Sequence, residues 1–418
     1  MIAADSQPEG LVRFADPWTS PFVVDTRWPH HLVNAEGRHL FIMNRTGWAY
    51  FGCKDPGGFL DRTAALGCNV IRVTLEGQPY FKELGIDLWP WGGTRAKPDF
   101  AAFNDAYWDE VERRVRLAGE KGIGIDLVLY FTLKPQAPDV PVHRRYWQRA
   151  IGRLGKYANI LTWEIHNEYT ANGEFQDASG DFFGANDPHR RPVCTSAGTT
   201  RDAVWPDKKW MHLAINHSCT GSGQAGGADD RGKHTLDGWY LPVARATRSH
   251  GKPAWCNESG REKRHRNDDG VHRRKQGWLW TTAGCFWTWH SWDGCEGIDN
   301  AKYQAPGAQF VPMYGKFWRE LPFWTLAPDR ESIAVEQKGV VWTALSDKDK
   351  SLLVAYLCVE TTGQRVPEMT LKLSLPRGRY RCAVINPADL KVIEQQDAMA
   401  GELRLPAWSD DVLIRLQR

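Results

Sequence analysis

No window of about 18 uninterrupted apolar residues occurs in the 418-residue chain, so a membrane-spanning helix is not expected and no membrane partner is read. The opening MIAADSQPEG lacks the basic, apolar and small-residue progression of a secretory leader, which leaves the compartment open: cytoplasmic, or that of a secreted or periplasmic protein without its leader. The nine cysteines contain no CxxC pair and their number is odd, which argues against a disulfide framework and a clustered zinc site. Reduced, mostly buried thiols are the expectation. Charge of one sign is also missing, since 53 Lys plus Arg face 50 Asp plus Glu for a formal net charge of +3. No global field therefore draws the protein toward nucleic acid, and no such partner is expected. No internal repeat or low-complexity segment occurs, and no GxGxxG follows the first strand-like run, which counts against a doubly wound open sheet.

What is present is ordinary globular usage, 42% hydrophobic and 25% charged, in a chain long enough for one large and one small domain. Eight strand-like runs lie between about residues 36 and 322: RHLFIMNRT, NVIRVTLEG, GIGIDLVLYF, ANILTWEIHNE, RPVCTSAG, WMHLAINH, KPAWCNESG and GCFWTWHSW. Several are near-continuous apolar runs, as parallel strands covered on both faces require. Helical spacing separates many of them. It is strongest in DFAAFNDAYWDEVERRVRLAGEKG, with Phe103, Tyr107, Val111, Val115 and Ala118 on one face and Gly122 as a stop. NGEFQDASGDFFGANDPHRR, after the fourth run, reads as loop with little helix. Strand and helix alternating eight times predict a (β/α)8 barrel over 1–324, including an N-terminal hairpin. Beyond a boundary near LPFWTLAPD, short runs separated by Gly, Pro and Asp predict an antiparallel β-sandwich over 325–418.

Working residues of such a barrel sit at the carboxyl ends of its strands. Two apolar runs end abruptly in a carboxylate preceded by Asn: HNE, ending at Glu168 after the fourth strand, and CNE, ending at Glu258 after the seventh. These strands face each other across a barrel mouth. A carboxyl pair there suits glycosidic cleavage, in which one group protonates the leaving oxygen and the other attacks the sugar carbon. Each Glu alone is also explained by a helix cap or a salt bridge; the pair at these ordinals is harder to dismiss.

These residues resemble the clan A glycoside hydrolases, retaining (β/α)8 enzymes that include the family 5 cellulases and mannanases. The WExxNE signature stands here as Trp163, Glu164, Asn167 and Glu168, accompanied by Glu258, by Arg72 in NVIRV and by Trp287 and Trp289 in GCFWTWHSW. The resemblance implies that Glu168 is the acid/base and Glu258 the nucleophile, and that no metal or organic cofactor is needed. It places Asn167 at the sugar 2-hydroxyl, and it makes His217 a contact of the nucleophile, with Asn216 or His212 as substitutes. Arg72 is expected to keep Glu258 charged, because a neighbouring cation favours the ionised form. Glu164 is read as an interior barrel group, turned away from Asn167 if the pleat is regular. A narrower resemblance links RWPHHLVNAEGRHLFIMNRTGWAYF, and the tail GRYRCAVINPADLKVIEQQ through WSDDVLIRL, to apiosidase-like enzymes of glycoside hydrolase family 140. Asn44 and Arg45 replace the Asp that members often carry before T-x-W, so their specificity is not carried over.

Of 21 tryptophans, Trp48, Trp89, Trp91, Trp287, Trp289 and Trp292 lie where loops would rim the mouth, and indole faces stack on sugar rings. Ordinary packing accounts for many of the 21; Trp89 and Trp91, in DLWPWGGT, are read as sugar platforms. Glu76 is a third mouth carboxylate, either a substrate contact or half of a salt bridge, and His290 and Asp293 are weighed in the same way. The loop SCTGSGQAGGADDRGKHT after the sixth strand is read as closing one end of a groove. GREKRHRNDDGVHRRKQ, from Gly260, is read chiefly as a solvated loop and helix face, and alternatively, through Arg261 and Lys263, as a site for an acidic saccharide. The functional expectation is a retaining hydrolase of a plant, algal or microbial oligo- or polysaccharide, with a catalytically silent carbohydrate-binding protein or a binder of acidic polysaccharide as rivals. Which sugar, and the oligomeric state, stay open.

Overall fold

The computed structural model describes residues 10–12, 16, 18–48, 50–76, 89–198, 200–217, 235–260, 269–291 and 305–418. Each of the eight apolar runs contains one strand of a parallel sheet: β1 (Met43–Thr46), β2 (Val70–Thr74), β3 (Gly124–Tyr130), β4 (Ile160–His166), β5 (Val193–Cys194), β6 (Ala214–His217), β7 (Ala254–Glu258) and β8 (Phe286–Trp289). Their order, β6-β7-β8-β1-β2-β3-β4-β5, joins the last strand to the first, which makes the sheet a barrel. At the remaining seam, between β5 and β6, His212 acts as a clip: its N–H donates to the Val193 carbonyl at 2.9 Å, and its Nδ1 accepts from the Val193 N–H at 2.9 Å. His212 is thereby a structural residue rather than a substitute for His217.

The helices are α1 (Pro56–Ala65), α2 (Asp105–Glu120), α3 (Val140–Leu154), α4 (Gly173–Asn186), α5 (Leu241–Arg248), α6 (Gly270–Thr282) and α7 (Val311–Trp318). Two differ from the sequence reading. The long amphipathic stretch is helical only from Asp105, because Asn104 caps it by accepting from the Tyr107 N–H at 3.2 Å, and Lys97–Phe103 pairs instead with Trp91–Thr94 as a hairpin. The segment read as loop is α4, a helix of 14 residues whose buried side, Phe175, Gln176, Ser179, Gly180 and Phe183, is too small and polar to display the period. Gly180 is required there, since a Cβ at this position would lie 2.3 Å from the Trp210 ring.

The C-terminal part is built on two facing antiparallel sheets, with a short two-stranded pair, Arg365–Val366 and Trp408–Ser409, beside them. β9 (Val340–Ser346), β10 (Leu352–Val359), β11 (Met369–Leu373), β12 (Tyr380–Ile385), β13 (Val392–Ala398), β14 (Gly401–Leu405) and β15 (Asp411–Gln417) form its frame. The larger sheet runs Ala327–Pro328, β9, β10, β15, β12, β13, and the smaller Ile333–Ala334, β11, β14. β10 explains how this sandwich sits on the barrel. Leu353, Ala355, Leu357 and Val359 face the sandwich core, while Leu352, Val354, Tyr356 and Cys358 belong to the barrel's cluster, so alternate side chains serve two interiors. Beside them Arg274 of α6 grips both oxygens of Asp411 at 3.0 and 2.5 Å, the Tyr356 hydroxyl donates to Asp411 at 2.8 Å, and Lys275 reaches Asp410 at 3.3 Å. This corrects the reading of the basic run. His272, Arg273, Arg274 and Lys275 are buried, not a solvated face, and residues 261–268, with Arg261 and Lys263, lie outside the described residues.

Candidate active site

Arg72, on β2, organises the floor of the barrel mouth. It is fully buried, and its Nε and Nη2 donate to the two oxygens of Glu164 at 2.7 and 2.5 Å. Nη1 donates to Glu258 Oε2 at 2.8 Å, and Nη2 also reaches Asn167 Oδ1 at 2.8 Å and Ser196 Oγ at 3.2 Å. The expected contact of Arg72 with Glu258 is therefore present. Glu164, on β4, and Asn167, one residue past its end, meet the same guanidinium, so regular alternation does not carry through to Asn167 and the two side chains do not point apart as a regular pleat would have them.

The reason the fourth strand stops where it does lies in its backbone. The Asn167 N–H makes a last bond to the Tyr130 carbonyl on β3 at 3.0 Å. Glu168 then adopts φ +48°, a left-handed conformation that a residue with a Cβ rarely holds unless its surroundings enforce it. Its N–H donates to Ser196 Oγ at 3.1 Å, which fixes the turn, and its side chain is left 38% exposed. A buried strand thus delivers one carboxyl group to solvent.

His217, at the end of β6, has Nδ1 2.9 Å from Glu168 Oε1. Sequence reasoning expected it on Glu258; the histidine beside Glu258 is His290, whose Nε2 is 3.6 Å from Glu258 Oε1 and whose Nδ1 is 2.8 Å from Thr46 Oγ1. Glu258 is more enclosed than Glu168, with 13% of its side chain exposed. One carboxylate oxygen of each Glu and a nitrogen of His217 lie within 4.8 Å of one another.

Asn216 turns away, donating to the Thr200 and Asp202 carbonyls. Glu76 is buried under the loop that follows β3 and accepts from the N–H groups of Phe131, Thr132 and Leu133 at 2.6, 2.9 and 3.1 Å, and from Arg95 at 3.2 Å. Burial raises its carboxyl, against the pull of those donors. Its oxygens hold a loop, so the substrate-contact reading is corrected.

The tryptophans divide. Trp48 lies over the Arg72 guanidinium at 4.7 Å and packs on half-buried Phe131, forming a wall of the site. Trp89 and Trp91 are buried, 0% and 1% exposed, Trp91 among Phe100, Tyr130, His143 and Tyr146 and Trp89 beneath Arg95. They have no free face for a sugar, and the platform reading is corrected. Trp287 and Trp289 pack on Tyr314 of α7 and Arg273 of α6, on the helix side of β8, while Thr288 and His290 point inward. Strand alternation carries this signal, and it displaces both tryptophans from the mouth. Trp292, Asp293 and residues 218–234 lie outside the described residues.

Sequence reasoning missed Ser196, Thr46, Asn257 and Asp126. Asn257 Nδ2 donates to Glu164 Oε2 at 3.0 Å, and Asp126 stands below Arg72 with Oδ2 3.7 Å from Nε. Asn257 follows from inward alternation on β7; a Ser just beyond a two-residue strand gives no signal. Two groups of described residues bring metal-type ligand atoms together, Glu168–His217–Glu258 and Asp126–Glu164–Cys194. Arg72 pairs with three of these carboxylates, Asp126, Glu164 and Glu258.

No protein-family model matches the chain, and none of the curated proteins does. Solved structures do match. A family 5 glycoside hydrolase from Bacteroides vulgatus superposes with TM-score 0.74 at 16% identity, over 97% of this chain and 95% of that one. A protein described as a glycoside hydrolase gives 0.71 at 17% identity over 97% and 98%, and a GH30 endoxylanase from Clostridium papyrosolvens 0.52 at 11% over 91% and 96%. At these identities the likeness is one of fold, and along nearly its whole length this chain folds as a (β/α)8 barrel followed by a β-sandwich.

Proposed function

We propose that the protein is a retaining glycoside hydrolase acting on an oligo- or polysaccharide, with residues 1–324 as the catalytic unit and 325–418 as its sandwich. The observation that carries this reading is the approach of Glu168 and Glu258, carboxylate oxygens within 4.8 Å, on opposite strands of the mouth. Retention uses carboxyl groups about 5 to 5.5 Å apart, whereas inversion needs about 6.5 to 9.5 Å to admit a water. The shared fold with glycoside hydrolases supports the class.

In this mechanism Glu168, as the acid, gives its proton to the glycosidic oxygen while a Glu258 oxygen attacks the anomeric carbon. The C–O bond breaks, the alcohol leaves, and a glycosyl ester of Glu258 remains. Glu168, now a carboxylate, takes a proton from water; the hydroxyl oxygen attacks the same carbon and Glu258 departs ionised. Arg72 stabilises negative charge on Glu258 before attack and after release. His217 holds Glu168 in place. Asn167, its Oδ1 occupied by Arg72, has its amide N–H groups to offer the 2-hydroxyl, and Trp48 with Phe131 forms an apolar wall for the ring.

The test is release of nitrophenol from a panel of 4-nitrophenyl arabinofuranoside, glucoside, galactoside and uronide by wild type, Glu168→Ala and Glu258→Ala. Release abolished by Glu258→Ala supports the reading. Turnover that survives it removes Glu258 as nucleophile, and tight saccharide binding without turnover favours a silent binding protein.

A further inference from the structure

Five strands turn polar side chains toward one point beneath the mouth: Arg72 from β2, Asp126 from β3, Thr162 and Glu164 from β4, Cys194 from β5 and Asn257 from β7, all buried. Three carboxylates, Asp126, Glu164 and Glu258, surround the single guanidinium. Its donors are not shared equally. Glu164 takes Nε and Nη2, Glu258 takes Nη1, and Asn167 and Ser196 draw on Nη2. Asp126 receives no hydrogen bond from Arg72. Its Oδ1 accepts from the Thr162 hydroxyl, and its Oδ2 meets Arg72 Nε only at 3.7 Å, beyond hydrogen-bond reach, with the Asn257 amide the other polar group beside it. A buried ionised carboxylate that shares its only cation with two others is costly, and a neutral acid much less so.

We propose that Asp126 is a positioning residue carried as an undissociated acid, and that its ionisation draws Arg72 off Glu258 and adds to the alkaline fall of activity that loss of the Glu168 proton brings. The part concerning activity rests on the glycosidase reading above. While Asp126 is neutral, Arg72 answers Glu164 and Glu258 alone. Once it ionises, three negative charges compete for one cation, and Glu258 is the one at the edge of the cluster. Burial first, then the charge of Glu164, push the Asp126 carboxyl up to about 8 against the pull of Arg72 and of hydrogen bonds from Thr162 and Asn257. The other groups that face it add no competing titration. Burial and the two carboxylates raise the Cys194 thiol well above its usual range, and Thr162 and Asn257 are uncharged.

Asparagine is the uncharged isostere of the protonated acid, so Asp126→Asn is the informative variant and Glu164→Gln its contrast. With the panel glycoside that wild type cleaves fastest, kcat/KM of Asp126→Asn is expected to fall less between about pH 7 and about pH 9 than that of wild type, while Glu164→Gln loses about a hundredfold or more at every pH. The alkaline fall of wild type should become shallower and begin at higher pH in Asp126→Asn, the part due to Glu168 remaining. An unmoved alkaline limb, or a neutral-pH loss as large as that of Glu164→Gln, overturns the proposal. Thermal unfolding reads the same proton without substrate. The folded acid keeps a proton that the unfolded aspartate, at about 3.9, has released, so wild-type stability is lost as pH rises from about 4 to about 8. The Tm advantage of Asp126→Asn should widen through that window; a constant gap overturns the proposal. If no glycoside is cleaved the glycosidase reading falls, while the unfolding series still decides the state of Asp126.

Discussion

Nη1 of Arg72 donates to Oε2 of Glu258 at 2.8 Å while Nε and Nη2 of the same guanidinium hold both oxygens of Glu164. One planar cation thus ties a mouth carboxylate to an interior one. The planar fork is what permits this, since an ammonium cannot present parallel donors to Glu164 and a third to Glu258. Arg72→Lys is expected to lower kcat/KM by about a hundredfold and to destabilise the fold by about 3 to 5 kcal/mol, because buried carboxylates lose their partner. Circular dichroism and denaturant unfolding, beside glycoside kinetics, check both. A loss under tenfold in kcat/KM would contradict the role given to the guanidinium.

The two histidines act on different carboxyl groups, His217 on Glu168 and His290 on the side of Glu258. His217→Ala should therefore hurt substrates with poor leaving groups, which need the proton from Glu168, about tenfold more than 4-nitrophenyl substrates, which need it little. His290→Ala should affect both kinds alike. Kinetics across phenols of graded acidity separate the cases, and equal sensitivity of the two variants would contradict the assignment.

Glu76 and Trp91 belong to the scaffold rather than the substrate surface. Glu76→Gln, which leaves one oxygen where two served three N–H groups, should cost about 1 to 3 kcal/mol. Trp91→Ala, deleting a buried ring, should cost about 3 to 5 kcal/mol. In both, KM of the folded enzyme should change little. A raised KM at unchanged stability would restore the sugar-contact reading.

Burial lowers the imidazoles of His143, His166 and His272 to about 4. Their unfolded counterparts titrate near 6.5, so between about 6.5 and about 4 the unfolded chain binds more protons. These groups make stability fall as pH drops through that window, and they contribute no change above it. The buried carboxyls of Asp126, Glu76 and Asp411, which burial raises, oppose the trend. Tm measured from about pH 7 to about pH 4 should decline, and His143→Gln should decline less steeply; a flat Tm would contradict the burial of these rings.

Much of this was legible in the chain because parallel barrel strands are apolar on both faces and betray themselves as runs. The ends of β4 and β7 were legible for the same reason: Glu168 and Glu258 interrupt such runs, and Arg72 is a cation within one. What was not legible depends on contacts distant in sequence. α4 hides its period because Trp210 requires glycine at position 180. Trp287 and Trp289 suggest a sugar platform until β8 is aligned with α6 and α7, whereupon alternation sends them outward and His290 inward. The basic run from Gly260 looks solvated until Asp410 and Asp411, some 135 residues later, are brought against Lys275 and Arg274.

The most direct test of the roles of Glu258 and Glu168 is azide rescue. Glu258→Ala, supplied with azide and an activated aryl glycoside, should recover turnover and give the glycosyl azide of inverted anomeric configuration, because azide enters the space of the missing nucleophile. Glu168→Ala should instead give the azide of retained configuration, formed from the intermediate on Glu258. Retained product from Glu258→Ala, or undiminished hydrolysis without azide, would contradict the assignment of Glu258 as the nucleophile.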